Sequence, residues 1–217
     1  MEIIKKYNQL LKTKKYPVEC NNINFIWWSK KDKGQAMAIN KGIFQATGDI
    51  IAYLNSDDTY LAGTFEQVAK LFSSNSDKVW LSGYCKIIDE KGHEIQKPIK
   101  YYKNLWLKRY NYTKLCITNF IAQPATFWQR SIHDEIGYFN ENLHLTMDYD
   151  FWLRCAKRYN PIILARELSC FRVHSQSKGG QEFHEQFNED FNTVKIHCHN
   201  DRVLWLHSIS NAVIKMA

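Results

Sequence analysis

Four aspartates and one histidine stand where side chains of their type can do chemistry. Asp57 and Asp58 follow directly on the apolar run Ile50-Ile51-Ala52-Tyr53-Leu54. A run of that length suits a strand buried on both faces, and open α/β sheets bind ligands at the carboxyl ends of such strands. Paired acids at that rim can hold a hard divalent cation, Mg2+ or Mn2+, which prefers oxygen ligands and leaves part of its shell to phosphate and water. The same pair, just before Thr59, can equally form a turn and cap the next helix. Asp148 and Asp150 open a helical pattern from Met147 to Tyr159 that stops before Asn160-Pro161. Acids in a first helical turn are favoured by the helix dipole whatever else they do. His174 follows the short apolar run Cys170 to Val173 and, taken alone, is a surface histidine as readily as a ligand.

The elements that must position these groups alternate along the chain. Glu2 to Leu11 has apolar residues at helical spacing, and Ile23 to Trp28 reads as a short strand. Gly34 opens a helix that Gly48 closes, and the Ile50 to Leu54 strand follows. A helix from about Leu61 to Phe72 and a strand from Val79 to Ile88 come next. Asp89-Glu90-Lys91-Gly92 is a turn signal predicting a hairpin into His93 to Gln96. Pro124 to Trp128, Ile162 to Leu164 and Cys170 to Val173 are short strand candidates, and the chain from Gln181 onward reads as helical. Alternation early and a hairpin later predict an α/β fold with a mixed sheet and helices on both faces.

With 217 residues and 45% hydrophobic content the chain can bury one good core, so one domain is the default. No apolar run is long enough to cross a bilayer, and Met1 to Lys15 is polar and lysine-rich with no signal-peptide core, so the expectation is a cytoplasmic protein. Six scattered cysteines without a CxxC pair suggest reduced core thiols; Cys198, between His197 and His199, is the one place where a metal role is conceivable. A net charge of +7 points to an anionic partner: nucleic acid, a phospholipid surface or a sugar diphosphate. Basic residues cluster from Lys5 to Lys15, from Lys30 to Lys33 and from Lys97 to Lys114. In the last cluster Tyr101, Tyr102, Trp106, Tyr110 and Tyr112 are interleaved, a mixture that can stack bases, sit at a headgroup layer, flank a sugar or simply solvate a face.

Two long blocks carry a resemblance. The first runs from Lys31-Asp32-Lys33-Gly34-Gln35 through Asn40-Lys41-Gly42 to Ala46-Thr47-Gly48-Asp49 and on to Asn55-Ser56-Asp57-Asp58. The second starts with Gln123-Pro124-Ala125-Thr126-Phe127 and continues through Ile136-Gly137-Tyr138-Phe139-Asn140-Glu141 to Met147-Asp148-Tyr149-Asp150-Phe151-Trp152-Leu153-Arg154, with Phe171-Arg172-Val173-His174 completing the series. In this order, over residues 31–177, they resemble the family 2 glycosyltransferases with a GT-A fold, a mostly parallel mixed sheet flanked by helices. The resemblance implies a metal-dependent, inverting transfer of a sugar from a nucleotide-diphosphate sugar, a UDP-sugar, to a glycan or lipid-linked acceptor. It makes Asp58 the metal-binding carboxylate and Asp57 its neighbour at metal or ribose. Asp148 becomes the general base and His174 a histidine reaching the metal or diphosphate. Asp32, Lys33 and Gly34 line the nucleotide side, with Asn40 steadying that loop, and Gln123, Asp150 and Trp152 fall on the acceptor side. Asn55 stands where many members carry another acid, and Met147 replaces the Glu of the family's Glu-Asp pair. Phe151, Trp152 and Trp128 also suit plain core packing.

By the same resemblance the chain begins after a first strand, a helix and a second strand. Residues 1–180 then form a GT-A-like domain incomplete at its N-terminus, and residues 181–217 a helical extension. Such a chain exposes sheet edges and apolar faces that favour pairing with another copy. Three readings follow: an active glycosyltransferase working at the inner face of the membrane; an inactive relative kept as a binding or assembly partner; and, motivated by charge alone, a nucleic-acid-binding protein. The first is favoured, without nucleic acid as a partner.

Overall fold

Long β-branched and aromatic runs become strands only where a neighbour completes their hydrogen bonds, and that condition decides which predicted strands form. The computed structural model describes the chain apart from residues 19, 21, 22, 76, 176–182 and 217. It divides into two compact units, Met1–Asp32 and Lys33–Ala217. In the first unit, α1 (Glu2–Lys12) forms as expected and has no buried residue. Tyr7 and Tyr16 meet edge to face at 5.6 Å across the turn that follows it. The predicted strand Ile23 to Trp28 is not one: these residues make no ladder, and Ile26 is 66% exposed.

The second unit is built on a five-stranded sheet in the order β1-β4-β3-β5-β2. Here β1 is Ile50–Ile51, β2 is Thr59–Tyr60, β3 is Trp80–Ile88, β4 is Thr126–Gln129 and β5 is Ile162–Arg172. The sheet is mixed, as expected: the long β3–β5 pairing is parallel, and the shorter β1–β4, β3–β4 and β2–β5 pairings are antiparallel. The two predicted strands after Pro161 are one continuous β5. Its register against β3 slips on either side of Tyr84, which breaks the two-residue alternation that a sequence reading relies on. Gly83 makes the close approach possible, since a Cβ there would lie 2.4 Å from Leu168 Cδ1. The predicted hairpin shrinks to a single bridge between Ile88 and Glu94, with the Asp89 side chain accepting from the backbone N–H groups of Lys91 and His93.

Helices cover the sheet: α2 (Gln35–Gln45), α3 (Thr64–Ser74), α4 (Lys97–Lys108), α5 (Tyr112–Ile117), α6 (Ile132–Ile136), α7 (Met147–Arg158), α8 (Phe183–His197) and α9 (Asp201–Met216). The core centres on α7, whose Tyr149, Phe151, Trp152 and Leu153 are fully buried. The Trp152 and Trp80 rings are parallel at 5.9 Å, and Trp128 meets Trp152 edge-on at 5.5 Å. Cys85, Cys116, Cys155 and Cys170 are buried thiols. No helix among the described residues is long and apolar enough to cross a membrane.

Candidate active site

The apolar run after Gly48 pairs with β4 only through Ile50 and Ile51, and the chain then leaves the sheet, carrying Tyr53 to Asp58 as a loop along its rim. A turn from the Asp58 N–H to the Asn55 carbonyl shapes that loop, and β2 begins at the next residue. β2 pairs with Ser169 and Cys170, so β5 delivers Arg172 beside the two acids. The Arg172 backbone N–H donates to Asp58 Oδ1 at 2.8 Å, while its guanidinium holds the carbonyls of Asp57 and Asp89 at 2.9 and 2.6 Å. Two residues on, His174 Nε2 lies 3.0 Å from Asp57 Oδ2. Two blocks far apart in sequence thus meet at one point.

Asp58 is only 6% exposed. Burial is the main cause that pushes its carboxyl up to about 6, with the charge of Asp57 adding to it, while the Arg172 N–H and the Asn55 amide pull the other way. A cation would relieve that strain. Among the described residues no three His, Cys, Asp or Glu side chains converge to hold a metal. The chemistry of Asp57 and Asp58 suits a hard divalent ion that takes one or two protein carboxylates and completes its shell with phosphate oxygens and water, while His174 is engaged by Asp57. The Asn55 amide, standing where an acid was expected, donates to Asp58 Oδ2 at 3.3 Å and accepts from Gln35 Nε2 at 2.9 Å, tying the start of α2 to the acid loop.

Asp148 lies in the first turn of α7, where its Oδ1 accepts from the Tyr149 N–H at 2.8 Å. Its carboxyl is part-buried, and burial pushes it up to about 6; the Asp190 charge on α8 raises it further, while the Tyr149 N–H and the Lys103 ammonium on α4 oppose the shift. No side chain caps α7 from its own N-cap residue Thr146. The carboxylate of Glu189, on α8, does so instead: it accepts from the backbone N–H groups of His144, Leu145 and Thr146 at 2.8–3.0 Å and from the Thr146 hydroxyl. Burial alone would raise the Glu189 carboxyl, yet these donors hold it below its usual range. Tyr53 links the two halves of the site. Burial drives its phenol well above its ordinary value, and Asp148 and Asp58 both add to the shift.

The remaining predicted site residues sort differently. Gln123 belongs to the rim, its amide donating to the Tyr53 carbonyl at 2.6 Å and accepting from Asn55. Lys33 and Gly34 open α2; Gly34, at φ +150°, holds a conformation a side chain would strain. Asn40 is a clamp rather than a ligand-facing group: its amide donates to the Phe139 carbonyl at 2.9 Å and accepts from the Phe139 N–H at 3.0 Å. Asp32 is exposed and is the last residue of the first unit. The acceptor-side expectation for Asp150 and Trp152 gives way to structural roles. Trp152 has no exposed surface. Asp150 is bound by His197 Nε2 at 2.7 Å and by Arg154 at 2.8 Å. Burial would raise its carboxyl, but those two partners outweigh it and hold the group down. With His197 turned inward to Asp150, the His197-Cys198-His199 trio gathers no metal cluster among the described residues.

The sheet rim thus carries the paired acids, and the first turn of α7 carries a third carboxylate. Residues 2–137 match the model of Glycosyl transferase family 2, and the chain belongs to that family. It is 30% identical over 130 residues to the uncharacterized glycosyltransferase YwdF of Bacillus subtilis, a match covering 60% of this chain and 47% of that one. It is 29% identical to the uncharacterized glycosyltransferase MJ1057 of Methanocaldococcus jannaschii, covering 93% of this chain and 65% of that protein. The chain therefore spans about half to two thirds of the length of these relatives. Among solved structures, S. aureus TarS 1-349 in complex with UDP-GlcNAc superposes with a TM-score of 0.59 at 15% identity, covering 94% of this chain and 57% of that one, so the GT-A fold is shared.

Proposed function

We propose that this chain transfers a sugar from a nucleotide-diphosphate sugar, a UDP-sugar, to a hydroxyl of a glycan or lipid-linked acceptor with inversion at the anomeric carbon. The observation that carries the reading is the meeting of two distant blocks at the sheet rim, where the Arg172 N–H donates to Asp58 and His174 reaches Asp57, with Tyr53 close enough to feel both Asp58 and Asp148. The acceptor oxygen bonds to the anomeric carbon as the bond to the diphosphate breaks; the hydroxyl proton passes to Asp148 and the negative charge leaves with the nucleotide. Asp148 is suited to that task because a carboxyl near 6 is ionised at neutral pH and still basic enough to take a proton. A divalent cation held by Asp57 and Asp58, with His174 beside Asp57, supplies charge stabilisation on the diphosphate when bound. The start of α2, with Lys33 and the Gln35–Asn55 bond, suits the phosphate end of the donor, in keeping with the UDP-sugar in the TarS crystal. The reaction draws on cytoplasmic nucleotide sugars at the inner membrane face, where a lipid-linked acceptor presents its hydroxyl.

The test separates the two carboxylates. Asp148→Asn should abolish transfer while leaving Mn2+-dependent UDP affinity in calorimetric titration within about twofold, and Asp58→Asn should lose both. Full transfer by Asp148→Asn removes the base from Asp148, and metal-independent UDP binding by the parent chain removes the cation from the acid pair.

A further inference from the structure

One surface lies outside the catalytic reading. From Gln96 to His133 the chain contains no Asp or Glu, while Lys97, Lys100, Lys103, Lys108, Arg109 and Lys114 all fall in this stretch. α4 occupies its first third. Its inner face is fixed: Lys100 is buried and pairs with Glu167 at 2.9 Å and with Glu94, and Leu107 is buried two turns further on. Residues on the opposite face recur at helical spacing. Tyr102 and Leu105 stand at its centre, 40% and 49% exposed, and Tyr101 beside them is 65% exposed. Lys97, Lys108 and Arg109, all exposed, form the margin.

The geometry points to α4 as a helix that lies on an anionic lipid surface, with Tyr101, Tyr102 and Leu105 entering the headgroup layer and Lys97, Lys108 and Arg109 meeting lipid phosphates. The argument is complementarity. An interfacial helix needs an apolar, aromatic stripe flanked by cations and free of acids, and α4 has all three. A nucleic-acid surface would leave Leu105 without a role, since stacking uses rings and phosphate binding uses charge. A second copy of this chain is no better occupant, because two α4 faces would oppose like charges. The membrane contact does not depend on the functional reading above.

The full chain would be sedimented with vesicles of phosphatidylcholine alone and of phosphatidylcholine mixed with phosphatidylglycerol. The expected result is binding to the anionic vesicles only, weakened by salt, with roughly a fivefold loss for each basic residue replaced in the Lys97→Gln, Lys108→Gln and Arg109→Gln series. Leu105→Ser with Tyr102→Ser should also release the chain from anionic vesicles, with UDP binding and circular dichroism unchanged. No binding, equal binding to both vesicle types, or an unaltered Leu105→Ser, Tyr102→Ser variant overturns the inference, as does a solution dimer that the same pair of substitutions dissociates. Vesicle binding by a chain lacking transfer overturns the functional reading alone.

Discussion

Asp148→Asn should make the protein more stable and less active at once. The Asp148 carboxyl rises from its ordinary 3.8 to about 6, chiefly through burial and secondarily through Asp190, against the pull of the Tyr149 N–H and Lys103. The folded chain therefore holds this proton more tightly than the unfolded chain does, so the carboxyl favours folding at low pH, and that advantage is lost as pH climbs from about 4 through about 6. A tenfold change in proton affinity is worth about 1.4 kcal/mol, which puts the cost of the ionised group at about 2–3 kcal/mol above pH 7. An asparagine keeps the oxygen that accepts from Tyr149 and removes the charge. For a chain of this size, Tm at pH 7.5 should rise by about 5–10 °C. Scanning calorimetry of both proteins from pH 3 to pH 8 checks this, and the gap should close toward pH 3, where the parent carboxyl is protonated in both states. A variant that melts lower than the parent at pH 7.5, or one whose advantage is the same at every pH, would refute the account of Asp148 as a carboxylate held at the expense of the fold.

Transfer at saturating donor should fall away as the medium is acidified through about pH 6, because protonated Asp148 has no site for the acceptor proton; a rate that stays flat down to pH 5 removes it as the base. Glu189→Ala deletes the cap at the start of α7 and should lower stability by about 2 kcal/mol in urea unfolding, and transfer with it, whereas Glu189→Gln should recover part of both. Trp152→Ala should cost about 3–5 kcal/mol and Trp152→Phe distinctly less, the order expected of core and not of a sugar platform, where nucleotide-sugar kinetics would change before stability did. Gly83→Ala should lose about 1–3 kcal/mol in the same assay, since its methyl group meets Leu168.

Much of the rim was legible because its signals are local. The step from apolar run to acid pair put Asp57 and Asp58 at the rim, although β1 stops at Ile51, short of the expected Leu54, and the first turn of α7 placed Asp148. Arg172 sat inside a quoted motif, but its task depends on which strand β2 pairs with, and pairing is not written in local spacing. Glu189 is the plainest omission: a carboxylate on one helix capping another 43 residues away leaves no trace in the capping pattern of either. Nothing local distinguishes Lys103 from the other lysines of its cluster, because its proximity to Asp148 comes from tertiary contact. The resemblance puts Asp150 and Trp152 at the acceptor side, but their partners, His197, Arg154 and Trp80, belong to packing. Ile23 to Trp28 failed for the complementary reason: its apolar run is strand-like, and a strand needs a neighbour.

The Glu189 cap also says something about how this chain could be remodelled. The acid pair is anchored by the sheet, through the Arg172 backbone, while the base is anchored by α8, through Glu189 at its helix start and Asp190 in its electrostatic surroundings. Donor chemistry and proton acceptance thus hang on separate pieces of scaffold. Exchanging the segment from Phe183 to Met216 for that of a relative would transplant the tuning of the base without touching the cation side, and changes along β5 would do the reverse. Under the proposed mechanism, substitutions in the C-terminal helices would retune the base while leaving the acid pair as it was.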